Sequence, residues 1–553
     1  MPKQERLPGC PLHTTRLAGR LAAVLALLVV AGCGGDGSSG TATVAASPFP
    51  STPPVQFSSG GASGIAETLN NIANLTVVSS DPEVLRAEYQ AGFVQGHLQG
   101  RTVASARDNT LEPWRPGPND LATLNGLLTA NYDFMIGYLQ AHARTLSGRR
   151  LTRLLFRMLG IYHGVTRTQP AALDFSGAWL PALSTFQPSE LVLNYQAPQL
   201  SFIDLYLVNA ALDVEDVWYA VTGGPKQTTG RMKKIDRLWR CSAFVKRTAD
   251  DVIIAHTSWS SYLAQTMSMT VDVNGDRMTV NALTPGQIGS ATDFGYNSRG
   301  LMFNETTHAY DYTEPRQNAV WIFWRAALAE QFAGTIDEFF DDISLDNSGT
   351  YLNGYMLVDA KTNETGLVDM SYRTFVLFRS GGGAYTCTTK PAGLTTDYDP
   401  VMLTPGYIMG YNYPVSLLIR SELHSSYDSP RRDQLLQLLA GVSDVETART
   451  VITYHDPAVP GSIFGRFDLS DRPRPVGSID AKVASASMAR AFMPLSGTLD
   501  RDAPTMGFWM LFGTAHIDGQ PFVWSRSQWS SWSHPDVPDV LDGTFTHLPL
   551  HLR

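Results

Sequence analysis

Residues 238–262 read LWRCSAFVKRTADDVIIAHTSWSSY, and the reading of this stretch decides the fold. Two β-branched and apolar runs, one opening at Cys241 and one ending near Trp259, flank Thr248-Ala249-Asp250-Asp251, a pattern that predicts a β-hairpin. Folding about that turn sets Cys241 opposite the stretch from His256 to Trp259, so a thiol, an imidazole and an indole share one strand end. Just upstream, GGPKQTTGRMKK (223–234) combines glycine, proline and charge, and reads as an exposed loop open to cutting. His256 alone reads either as a structural histidine or as the partner of the thiol. Cys241 itself has three readings: bridged, buried and inert, or reactive.

The cysteine inventory narrows these. The chain of 553 residues has four cysteines. Arg16 and Arg20 precede LAAVLALLVVAGC, an apolar stretch short for a bilayer span, which ends in Val30-Ala31-Gly32-Cys33. Small residues before that cysteine resemble a bacterial lipobox, which implies lipidation of Cys33 and an exported, membrane-anchored lipoprotein. Residues 1–33 are thus expected to be the signal peptide and lipobox. Residues 34–64, rich in Gly, Ser, Thr and Pro, read as a flexible tether, with the folded part beginning near Ile65. Cys10 falls in the discarded part, leaving Cys241 and Cys387, which an oxidising compartment could pair. Without a CxxC or Cys/His cluster at zinc spacing, neither a thiolate metal site nor a cofactor is expected. A net charge of −9 with no basic domain argues against nucleic acid as partner.

Along the chain, residues 81–165 carry mostly helical spacing, and LSFIDLYLVNAALDVEDVWYAVTG extends it. GRRLTRLLFRMLGIYHG is basic and amphipathic; a membrane-surface helix and a solvated face on a packed helix both fit it. After residue 240 short strands dominate, among them MSMTVDV and RMTVNAL around Asn274-Gly275, a hairpin signal. The Asp272, Asn274, Asp276 spacing lacks the Glu of a calcium loop and reads as a turn. The chain is therefore α+β, with a helical portion over 65–240 and a sheet-rich, nucleophile-bearing portion over 241–553.

No G-x-S-x-G elbow, H-E-x-x-H, P-loop or papain signature is present. The opening stretch, with its Cys-Ser-Ala start and His-x-x-Trp-x-Ser-Tyr element, resembles the phospholipase B-like family. TPGQIGSATDFGYNSRGLMFNETT (284–307) and DNSGTYLNGYMLVD (346–359) are similar to that family's Asp-Phe, Glu-Thr-Thr and Asn-Ser-Gly-Thr-Tyr blocks, and AEYQAGFVQGHLQG, GQPFVWS and SHPDVPDV are weaker echoes.

The resemblance implies the N-terminal nucleophile hydrolase fold, a four-layer αββα sandwich related to bile-salt hydrolases and penicillin V acylases. It also implies self-cleavage between Arg240 and Cys241, after which Cys241 heads a new chain. A lysine, at about 10.4, is protonated at neutral pH, whereas an α-amine at about 7.7–8.0 leaves a usable neutral fraction. Scission thus supplies nucleophile and base on one residue. By resemblance, His256 orients the amine or polarises the acyl group, Trp259 shapes the pocket wall, and Asn347 donates to the oxyanion, with Asn353 a second candidate in the same loop. On residues alone, Asn347 reads as a turn residue before Ser-Gly. Arg240 departs from the small residue that animal members carry at the scissile bond. The expected function is acyl hydrolysis of a lipid ester or an N-acyl amide through a Cys241 acyl-enzyme. A silent lipid-anchored scaffold, with Cys241 bridged to Cys387, and a papain-like protease are the alternatives.

Overall fold

The computed structural model describes residues 52–551, apart from 169–172, 178, 223–239, 311–312, 426–428, 494–506, 517–519 and 533–534. The expected lipobox with Cys33 and the charged stretch at 223–234 lie outside the described residues. No described helix is long and apolar enough to cross a membrane.

The architecture is mixed α+β, built on two large sheets. Strands β1 (Thr52–Ser59), β2 (Ala62–Leu69) and β3 (Ile72–Ser79) lead the larger one. It continues through β6 (Met267–Val273), β7 (Arg277–Leu283), β8 (Phe294–Asn297), β9 (Leu301–Thr307), β10 (Asn353–Asp359), β11 (Glu364–Met370), β12 (Phe375–Ser380) and β13 (Thr386–Lys390). The second sheet contains β4 (Arg240–Arg247) and β5 (Val252–Ser261), flanked by β14 (Leu403–Thr404), β15 (Tyr407–Gly410), β16 (Val476–Ser478), β17 (Asp480–Ser485) and β18 (Trp509–Phe512).

The larger sheet is covered on both faces. Leu301, Phe303, Tyr355, Leu357 and Val368 cluster with Ile322, Ala326, Ala329, Phe339 and Ile343 from the helices Ile322–Phe332 and Ile336–Ile343. Met278, Val280, Met302, Met356 and Val358 share another cluster with Val245, Ile254 and Val483 of the smaller sheet. Helix Val445–Ile452 adds Ala448, Val451 and Ile452 to that cluster. With cover on both faces, β4 to β10 read as nearly continuous buried runs instead of alternating ones.

The expected tether boundary at 64 and the helical portion from 65 are corrected by β1–β3, which occupy Thr52–Ser79. β3 pairs in parallel with β6, from Asn74↔Ser268 to Ser79↔Val273, so the upstream segment completes the downstream sheet. Ala62, Leu75 and Val77 pack on Ala87, Ala91 and Val94 of helix Val84–Gln99. The Ser/Gly/Pro composition that reads as a linker suits this place: β1 is an exposed edge strand, where Pro53 and Pro54 cost no ladder bond that matters.

The basic helix is the packed alternative. Leu146–Thr166 buries Arg157, which donates to Gln95 Oε1, while Arg153 pairs with Glu88 and Asp276, and Arg150 with Asp342. The Asn274-Gly275 turn takes positive φ at both residues (59° and 66°), and Asp272 accepts from Gly275 N–H at 2.8 Å, a hairpin lock and not a calcium loop.

Candidate active site

The hairpin forms, with the partner of Cys241 inside the expected stretch from His256 to Trp259. Cys241 pairs with Ser258 and Ala243 with His256 across β4 and β5. Alternation then places Cys241, His256 and Ser258 on one face of the sheet. The smaller sheet continues through β17, where Lys482 pairs with His256. Asp293, at the entrance to β8, comes from the opposing sheet. Cys241 Sγ, a His256 ring nitrogen and an Asp293 carboxylate oxygen all lie within 4.8 Å of one another, and all three residues are buried. They are the one group among the described residues whose donor atoms converge closely enough for a metal ion. The Lys482 ammonium beside them disfavours a further cation.

Charge in this cluster is set by burial. The Cys241 thiol is held well above its ordinary range, first by burial and then by the carboxyls of Glu305 and Asp293. Lys482 and the Trp259 main-chain N–H work the other way and favour the thiolate. His256 is kept neutral by burial and by Lys482, against the pull of the Glu305 main chain, which favours the charged ring. Asp293 and Glu305 lie carboxyl to carboxyl: burial raises Asp293 to about 6, and burial together with Asp293 raises Glu305 well above the carboxylate range. Two such groups side by side share one proton, with Glu305 as its holder. Tyr351 Oη donates to Asp293 Oδ2 at 3.2 Å. Lys482 is itself saturated, with Ser258 Oγ and Thr292 O at 2.7 Å and Asp480 Oδ1 at 2.8 Å, so it acts on its neighbours by charge.

The main chain of Cys241 is gripped on both sides of its Cα. Cys241 N–H donates to Asn412 Oδ1 at 3.1 Å, and the Cys241 carbonyl accepts from Arg431 Nη1. Asn412 Nδ2 donates to Thr307 O at 2.6 Å. Arg431 also reaches Tyr411 O and Asn412 Oδ1 at 2.9 Å and Ser429 Oγ at 3.0 Å. Asn412, Arg431, Asp293, Glu305 and Lys482 carried no assigned role in the sequence. Only Asp293 and Glu305 stood in motif blocks that could have pointed to them.

Two expected roles change. Trp259 pairs with Arg240, so its ring falls on the face away from the thiol. There its Nε1–H donates to Ile463 O at 3.1 Å, the same carbonyl that Ser242 Oγ reaches at 3.0 Å. Its ring lies 4.3 Å under the Arg431 guanidinium, a support for that arginine and not a pocket wall. Asn347 is a turn lock: its amide donates to Ser371 O and accepts from Gly349 N–H, both at 3.0 Å. Asn353, the first residue of β10, is fully buried, with its amide against the Tyr355 hydroxyl. It pairs with Thr307, whose carbonyl holds Asn412, which in turn holds Cys241. Cys241 and Cys387 are both free, the first buried in the smaller sheet and the second exposed on edge strand β13, so the bridge that would silence the thiol is not formed.

Two stacked sheets and a Cys–His–Asp cluster at the head of a strand define a mixed α+β protein with the parts of a nucleophilic site. The chain belongs to the phospholipase B family, whose model matches residues 189–548. It is 25% identical to phospholipase B-like protein B of Dictyostelium discoideum, over 62% of this chain and 64% of that one. It is 24% identical to phospholipase B-like 1 of Bos taurus, over 63% and 68%. Phospholipase B of Crotalus adamanteus is 25% identical over 53% and 58%. The chain thus spans under two thirds of the first of these relatives.

Proposed function

We propose that the chain is a self-processing, phospholipase B-like acyl hydrolase of the N-terminal nucleophile class, removing fatty acyl groups from lipid esters, with N-acyl amides as the second substrate class. The observation that carries the reading is the convergence of Cys241, His256 and Asp293 within 4.8 Å at the head of β4.

In the precursor, Asp293 takes the thiol proton and Sγ attacks the Arg240 carbonyl carbon. The Arg240–Cys241 C–N bond breaks as the nitrogen gains that proton, leaving a thioester. Water then splits the thioester into an Arg240 carboxylate and a free Cys241 thiol. The new amine stands where the N–H now meets Asn412 Oδ1. In turnover the amine takes the thiol proton, the thiolate attacks the acyl carbonyl, and the ammonium returns its proton to the departing alcohol or amine. Water activated by the same amine releases the fatty acid. The buried Asn353 amide, beside the Thr307–Asn412 contact that leads to Cys241, is the donor this reading assigns to the oxyanion. The proposal includes export and anchoring through Cys33; labelled palmitate should be incorporated by the wild-type chain and not by Cys33→Ser.

The decisive experiment pairs N-terminal sequencing of the purified protein with hydrolysis of a panel of phospholipids and N-acyl amides. A fragment starting Cys241-Ser242-Ala243 and acyl release are expected, both lost in Cys241→Ala. Hydrolysis that survives Cys241→Ala, or an intact active chain, overturns the reading.

A further inference from the structure

The last helix described ahead of the scissile bond, Phe202–Thr222, sends two carboxylates into the loop that precedes β10. Asp213 Oδ1 accepts from Ile322 N–H at 2.7 Å, its Oδ2 accepts from Phe323 N–H at 3.2 Å, and Thr350 Oγ1 donates to its Oδ1. Asp216 Oδ2 accepts from Tyr351 N–H at 2.8 Å and from Tyr310 Oη at 2.6 Å. Tyr351 is held with φ at +44°, a left-handed conformation that a tyrosine keeps only when its surroundings impose it. The same residue places its hydroxyl on Asp293.

The geometry points to Asp216 as a positioning residue for the reaction: from upstream of the cleavage site it fixes Tyr351, and through the Tyr351 hydroxyl it sets the proton affinity of Asp293. The inference rests on the acyl-hydrolase reading for its consequence and on the contacts above for its mechanism. It makes the segment ending at Arg240 a working part of the catalytic centre. A carboxylate that accepts a hydroxyl hydrogen bond ionises more readily, and Tyr351, whose own ionisation burial suppresses, stays a donor throughout. The other groups facing Asp293 are Glu305 of β9, Cys241 of β4, His256 of β5, Asp480 and Lys482 of β17, Tyr355 of β10 and Glu330 of helix Ile322–Phe332. Of these, Glu305 also meets the Tyr351 hydroxyl, so a change at Asp216 that moves Tyr351 acts on the Asp293–Glu305 pair together.

The test is a double-mutant cycle on the full chain with Asp216→Ala and Tyr351→Phe, Asp216→Asn being the milder variant should the alanine not fold. The readout is the pH profile of Cys241 alkylation by iodoacetamide in the folded protein, with self-cleavage followed in parallel. Losing the hydroxyl should move the acid-side midpoint up by about half to one pH unit, a roughly three- to tenfold loss of rate on that side. Asp216→Ala should give the same shift, and the double variant no more than either. Shifts that add, or an Asp216 variant that lowers melting temperature with the midpoint unmoved, overturn the inference. Alkylation needs no turnover, so failure of the hydrolase reading shows separately, as missing cleavage and missing acyl release.

Discussion

The main-chain nitrogen of Cys241 and the side-chain oxygen of Asn412 face each other at 3.1 Å, before any bond has been cut. In the proposed mechanism that nitrogen becomes an amine that alternates between neutral and protonated forms, and a fixed acceptor would orient its lone pair away from Asn412 and towards the thiol. Asn412 is fixed in turn, with φ at +70° and its Nδ2 on Thr307 O. Asn412→Ala is therefore expected to slow self-cleavage and turnover by about 10- to 100-fold, on the scale of losing one preorganised polar contact. A time course of fragment appearance measures it; wild-type rates in a folded Asn412→Ala protein rule the role out.

In the proposed mechanism Asp293 sets the acid side of the reaction. Its carboxyl is raised from 3.8 to about 6, so it is protonated in the folded protein through a range where the unfolded chain has lost the proton. The stability sign follows: this group's contribution falls as pH rises from about 4 to 6 and is then constant. The activity sign is opposite, because only the carboxylate can take the thiol proton. Cleavage of freshly folded precursor should rise about tenfold per pH unit below 6 and level off above it. Asp293→Asn should lower the plateau and erase the inflection; an unchanged inflection assigns it to another group.

Arg431 illustrates what a buried guanidinium can hold that an ammonium cannot. Its planar fork spans the Cys241, Tyr411, Asn412, Ser242 and Ser429 oxygens while its face rests on Trp259. A lysine has three hydrogens and no face, so Arg431→Lys leaves buried acceptors without donors, at a cost of about 2–4 kcal/mol. Thermal melts in the uncleavable Cys241→Ala background should show the loss, and the cleavable form should mature at least several-fold more slowly. Trp259→Phe, which keeps a face but loses the bond to Ile463 O, should lie between wild type and Arg431→Lys.

The hairpin around Cys241 and the Asn274-Gly275 turn were legible because each rests on local signals: β-branched apolar runs, turn chemistry and sequence proximity. The edge strands were not. Gly, Ser and Pro carry no apolar period, and β1–β3 become strands only through pairing with β6 and packing on helix Val84–Gln99. Asp293, Glu305, Lys482, Asn412 and Arg431 reach the thiol by stacking and pairing of strands distant in sequence, which no local pattern encodes. Trp259 was a different failure. The sequence set Cys241 opposite a stretch of four residues, His256 to Trp259, and only the observed pairing with Ser258 decides that residue 259 lies on the far face.

The last prediction turns on four glycines and concerns stability alone. Helices Val84–Gln99 and Leu146–Thr166 approach through reciprocal contacts. A Cβ on Gly92 would lie 2.1 Å from Arg157 O, one on Gly96 2.1 Å from Ile161 O, and one on Gly160 2.1 Å from Tyr89 O. On Gly164 it would lie 2.1 Å from Phe93 O. Each neighbour is main chain, which cannot swing aside as a side chain can, so Gly92→Ala or Gly160→Ala must push the helices apart. That overpacking should cost about 1–3 kcal/mol, well beyond the helix-propensity gain of roughly 0.5–1 kcal/mol. Gly126 and Gly137 of helix Pro118–Ala141 supply the control, since a Cβ at either meets nothing within 4 Å. There the same substitution should raise the melting temperature. Opposite signs from one chemical change, read on one calorimeter, would place the effect in the helix contact; a stabilised Gly92→Ala would show that the two helices can part at no cost.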